Sequence, residues 1–118
     1  MKLLLAVPRR DENVPRQLKR DILEISGTSH EVYTVREKGW NGKLNGELLK
    51  SMLDDQFEVL VTADKNLQHQ QNFNQYPIPV VVLHTYRITY EYLSPLIPKL
   101  NELLKTDLPN GATVIKGE

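Results

Sequence analysis

Leu3-Leu4-Leu5-Ala6-Val7 is an unbroken apolar run, closed by Pro8 and by the charged Arg9-Arg10-Asp11. A short run with no polar alternation is the pattern of a strand covered on both faces, as in a parallel sheet. The run is too short for the hydrophobic region of a secretory signal, and the charges that end it argue against one. Nothing else in the chain approaches the roughly 20 apolar residues of a membrane helix.

Working outward, Val14, Leu18, Ile22 and Ile25 recur at helical spacing, with Pro15 suited to a first turn. Ser26-Gly27-Thr28-Ser29 reads as the exit from that helix, and Glu31 to Val35 as a second strand rich in β-branched and aromatic residues. Lys38 to Lys43 is a loop punctuated by two glycines. Asn45 is a plausible N-cap for a helix that turns Leu48, Leu49 and Met52 inward. Phe57 to Val61 reads as a third strand, Leu67 to Phe73 as a short helix or turn, and Ile78 to Leu83 as a fourth strand. Tyr90 to Leu104 is a last helix whose first half Pro95 and Pro98 make irregular, and Ala112 to Ile115 is a short strand. The alternation predicts one α/β domain over residues 1–118: a mainly parallel sheet of four to five strands with helices on both faces.

The composition is that of an ordinary globular domain, with 40% hydrophobic and 25% charged residues in 118. There is no cysteine, which excludes disulfides, thiolate metal ligands and thiol nucleophiles, and fits a cytoplasmic setting. Fifteen basic residues balance fifteen acidic ones, against the basic excess usual for sequence-independent nucleic-acid binders.

In open parallel sheets, ligands bind outside the carboxyl ends of the strands. Asp11 and Glu12 follow the first strand, Asp64 follows the third, and Glu47 opens the second helix, so all four are expected at one sheet edge. Grouped carboxylates repel one another unless a cation or shared protons neutralise them. Oxygen-only donors point to a hard ion, Mg²⁺ or Mn²⁺, able to activate water and clamp a phosphodiester. Taken singly, Asp11 and Asp64 also read as helix caps, and Glu47 as a partner of the helix dipole. His30, His69 and His84 lack metal-ligand spacing, and only His69 is expected near that edge. Trp40 reads as a core plug or as a base-stacking residue. The basic stretch Arg9, Arg10, Arg16, Lys19 and Arg20 reads first as a solvated face.

The motifs also resemble those of a known family. Asp11-Glu12-Asn13-Val14-Pro15 is similar to the "DENLP" opening of short bacterial proteins with a PIN-like domain. Val32 to Gly42 resembles their "hdVxTVxExGWxG" segment, and Asn45-Gly46-Glu47-Leu48-Leu49 their "(D/N)xELL" helix start. Val59 to Leu67 resembles "vLvTxDxnl", and Gln70-Gln71-Asn72 a "QQN" found in one branch. The matches run in order over positions 3 to 83.

The resemblance implies a PIN-like fold and a Mg²⁺-dependent nuclease related to VapC-type toxins. Asp11, Glu47 and Asp64 match the catalytic, metal-binding acids, with Glu12 as a further ligand. Asn45 and Asn66 stand where many relatives carry aspartates, which thins the negative charge. Asn45, Thr62 and Asn66 are expected to orient ligands or water, and Arg9, Arg10, Arg36 and Lys65 to steer the nucleic-acid backbone. The expected function is phosphodiester hydrolysis, of RNA, as the toxin of a toxin–antitoxin pair. The alternative is an inactive PIN-like module that binds a protein or nucleic-acid partner. An antitoxin-like protein is the expected partner, no membrane is implied, and the chain is a monomer or homodimer.

Overall fold

The structure is a computed structural model, and it describes residues 1–7, 13–26, 30–40, 42–43, 45–63 and 77–117. The expected short helix or turn over Leu67 to Phe73 lies outside them. Among the described residues, strands β1 (Lys2–Ala6), β2 (Glu31–Thr34), β3 (Val59–Thr62), β4 (Pro79–His84) and β5 (Gly111–Lys116) form one sheet in the order β2-β1-β3-β4-β5. Every pairing is parallel. The α/β class, the parallel sheet and the helices on both faces are as the sequence predicts. This order is a doubly wound one, and the strand direction of travel reverses between β1 and β3.

The pleat sorts the core into two layers. Leu3, Leu5, Val59, Val61, Val81 and Leu83 project to one side, where α1 (Asn13–Ser26) adds Val14, Leu18 and Ile22. Leu4, Leu60, Val80 and Val82 project to the other, where α3 (Asn45–Asp54) adds Leu48, Leu49 and Met52. β1, β3 and β4 are therefore buried on both faces, which is why they read as apolar runs rather than alternating ones.

The C-terminal helix is broken, as its prolines require. α4 (Tyr90–Leu93) passes through a 3-10 turn (Ser94–Leu96) into α5 (Ile97–Leu104). Leu93, Leu96, Ile97, Leu100 and Leu104 are buried in the α1 layer, so this helix packs on its own sheet. Its position has a topological consequence. β1→β2 and β2→β3 step in opposite directions over opposite faces and so share one hand. β4→β5 steps in the same direction as β2→β3 but runs over the α1 face, and so has the opposite hand. Parallel crossovers overwhelmingly share one hand. Here the departure lets α5 cover Val81 and Leu83 beside α1.

One expected boundary is corrected. Val35 is not the end of β2 but the first residue of α2 (Val35–Lys38). Thr34 stops the strand: its Oγ1 accepts from Glu37 N–H at 3.2 Å, and its own N–H donates to Glu37 Oε1 at 2.9 Å. This reciprocal capping box turns the chain into a helix. Gly39 ends α2 at φ 72°, a left-handed conformation that glycine adopts without strain.

Candidate functional site

The candidate edge begins where the strands end. Ala6 and Thr62 are register partners on β1 and β3, and Thr62 Oγ1 donates to the Ala6 carbonyl at 2.8 Å. Thr62 is buried, so its hydroxyl fastens the carboxyl ends of the two strands that precede Asp11 and Asp64. α3 connects β2 to β3 and begins at the same edge, with Glu47 exposed in its first turn. α2 follows β2 there and carries Arg36, also exposed.

The expected residues divide as follows. Glu47, Thr62 and Arg36 are described and belong to this edge. Asn45 is the first residue of α3, one position inside the cap expected for it. Asp11, Glu12, Asp64, Asn66, Arg9, Arg10 and Lys65 lie outside the described residues, as does His69. Among the described residues, no three His, Cys, Asp or Glu side chains group as a metal site. Of the four candidate acids, Glu47 is the one among the described residues, exposed in the first turn of α3.

Ion pairs fix the flank of the edge. Lys19 of α1 reaches the Glu37 carboxylate at 2.8 and 2.9 Å, tying α1 to α2. Partial burial pushes the Glu37 carboxyl up, but the Lys19 ammonium and the Thr34 N–H and hydroxyl outweigh it and hold the carboxyl below its ordinary value. Arg16, Lys19, Arg20, Leu23 and Glu24 line an open groove of about 320 Å³ along α1, so the basic stretch is partly a neutralised face.

Trp40 is a packing residue. It is half-buried and meets Phe57 edge-to-face at 5.5 Å, as Tyr33 does at 5.7 Å. Lys2 and Lys38 lie over this aromatic group and both reach Asp55, at 3.2 and 2.6 Å. The Lys38 hydrogen bond first, then that of Lys2, holds the Asp55 carboxyl below its usual range.

Two groups at the candidate edge were not expected from the sequence. His84 is the last residue of β4, one strand from β3, so His69 is not alone in its claim to that edge. The signal was its position at the end of an apolar run. The second group is Tyr86, Arg87 and Tyr92, which follow β4. Tyr86 is 72% exposed and meets Tyr92 at 6.0 Å. Tyr86 lies in no periodic apolar run, so its pairing with Tyr92 had no cue in the sequence. His30, by contrast, precedes β2 at the opposite edge; burial and the Met1 amino group lower its pKa.

The fold is that of a doubly wound parallel α/β protein, with the buried Thr62 at the switch between β1 and β3. No protein-family model, no curated protein and no solved structure matches the chain. Among the described residues, no helix is long and apolar enough to cross a membrane.

Proposed function

We propose that the chain is a PIN-like nuclease that hydrolyses phosphodiester bonds of RNA with Mg²⁺ or Mn²⁺. The reading is supported by one observation above the others. The strands leading into Asp11 and Asp64 are neighbours, end at one edge and are fastened there by Thr62, and α3 opens at that edge with Glu47. In this reading Asp11, Glu12, Glu47 and Asp64 hold the ion, which supplies an activated water and polarises the phosphate. Thr62 keeps the two strand ends in register, Asn45 and Asn66 orient water, and Arg9, Arg10, Arg36 and Lys65 attract the backbone. The setting is cytoplasmic, with the chain acting as a toxin whose antitoxin masks the edge.

Cleavage of labelled RNA by wild type and Asp64→Asn, each with Mg²⁺, Mn²⁺ or chelator, tests the proposal. Metal-dependent cleavage that Asp64→Asn abolishes is the expected result. Equal cleavage by both proteins overturns the mechanism.

A second reading, an inactive PIN-like module, is favoured by the neutral net charge and by Asn45 and Asn66 in place of acids. Calorimetric titration separates the two. Heat of Mg²⁺ binding at millimolar concentration belongs to the nuclease, and its absence to the inactive module.

A further inference from the structure

We infer that Tyr86 and Tyr92, with Arg87 between them in sequence, form a base-stacking platform for single-stranded RNA at the carboxyl edge of β4. The inference deepens the nuclease reading and rests on it for the choice of polymer.

Three observations carry it. The first is exposure. Large apolar side chains of the described chain are mostly buried; apart from Ile25 on α1 at 47%, the exposed ones are Tyr86 at 72%, Ile88 at 38% and Tyr92 at 36%. They fall within seven residues, and the two tyrosine rings meet at 6.0 Å with an interplanar angle of 62°. Such a pair is a preassembled aromatic surface. Scattered exposed apolar residues need no explanation, but a contiguous group does.

The second is charge. The Arg87 guanidinium lies 5.5 Å from the Tyr86 ring centroid and has no carboxylate partner among the described residues. A cation beside an exposed ring offers a base a stacking surface and a phosphate a counter-charge together. Among residues 84 to 92, Arg87 is the one Lys or Arg and Glu91 the one acid.

The third is position and rigidity. The loop leaves β4, the neighbour of β3, at the edge where β3 leads to Asp64. Thr85 is buried, and its Oγ1 donates to the Arg87 carbonyl at 2.6 Å, while Gly117 N–H donates to the His84 carbonyl at 2.7 Å. Tyr90 OH donates to Asp21 on α1, anchoring α4, the helix that carries Tyr92. The loop that presents Tyr86 is thus held at both ends. Unpaired bases expose their faces and duplex bases do not, so the platform selects single strands.

The test measures binding apart from cleavage. A labelled oligouridylate of about 12 nucleotides is titrated with full-length protein in chelator at low salt, by fluorescence anisotropy. The expected result is that wild type binds the single strand more tightly than a duplex of equal length. Tyr86→Ala and Tyr92→Ala each weaken binding about 5- to 100-fold, Tyr86→Trp retains it, and Arg87→Gln weakens it and lowers its salt dependence. Thermal melting checks folding, and Arg87→Gln serves if an alanine variant does not fold. Wild-type affinity in the tyrosine and arginine variants overturns the platform. So does preference for duplex, or failure to bind any single strand, which leaves the patch to a protein occupant. Tyrosine-dependent binding without Mg²⁺-dependent cleavage supports the platform while the nuclease reading falls. Cleavage by wild type that Tyr86→Ala leaves unchanged at low substrate overturns the platform alone.

Discussion

Thr62 is the residue on which the candidate edge turns. Its hydroxyl joins β3 to the last carbonyl of β1, and Thr62→Val keeps the shape while removing the donor. Loss of one such bond costs about 1 kcal/mol, more where the acceptor is left without water. Urea denaturation is expected to show that loss, with cleavage falling further than stability because the two strand ends loosen relative to each other. Asp55 gives a second residue-scale outcome. Its carboxyl is held below its ordinary value by Lys38 and Lys2, so the folded chain binds that proton more weakly than the unfolded chain. The contribution is therefore present above about pH 4 and is lost as pH falls further. Asp55→Asn should flatten the acid side of the profile of melting temperature against pH and leave its neutral side lower. Neither contact was legible in the sequence. Lys2 and Asp55 are 53 positions apart, and only the fold brings them to 3.2 Å.

At the scale of elements, the buried strands announced themselves. Leu3 to Val7 and Val80 to Leu83 are apolar on both faces, and the structure buries them between α1 and α3. The helical spacing of Val14, Leu18 and Ile22 likewise matched the face α1 turns to the sheet, whereas Ile25, read as part of the same stripe, is exposed near the end of α1. What local pattern did not carry was the decision at Val35. Val32 to Val35 has strand propensity throughout, and the capping box between Thr34 and Glu37 overrides it. Nor did pattern reveal which face α5 would cover, since Leu93, Leu96, Leu100 and Leu104 fit either layer by hydrophobicity. The structure assigns them to the α1 layer. Leu100→Ala is therefore expected to cost about 2–5 kcal/mol in chemical denaturation, as for a fully buried leucine. A cost below about 0.5 kcal/mol, typical of a surface position, would contradict that assignment.

At the scale of the whole molecule, the doubly wound order gives the account its logic. The reversal between β1 and β3 marks the place where open parallel sheets bind ligands, and Asp11 and Asp64 follow those two strands in the sequence. Of the candidate acids, Glu47 was legible as a first-turn helix residue and stands there in α3, while Asp11, Glu12 and Asp64 lie outside the described residues. The aromatic pair after β4 was not legible, because an exposed tyrosine in a loop has no signature until the ring beside it is known. The neutral net charge also acquires a meaning: attraction for RNA would come from stacking and local cations rather than from a global field. The most direct measurement is cleavage of a labelled single-stranded RNA in Mg²⁺ and in chelator, by wild type and by Asp11→Asn, Glu47→Gln and Asp64→Asn. The account predicts cleavage by wild type only in Mg²⁺, and no cleavage above the chelator control by any of the three variants. Cleavage that survives chelation, or that the three folded variants perform as well as wild type, would contradict it.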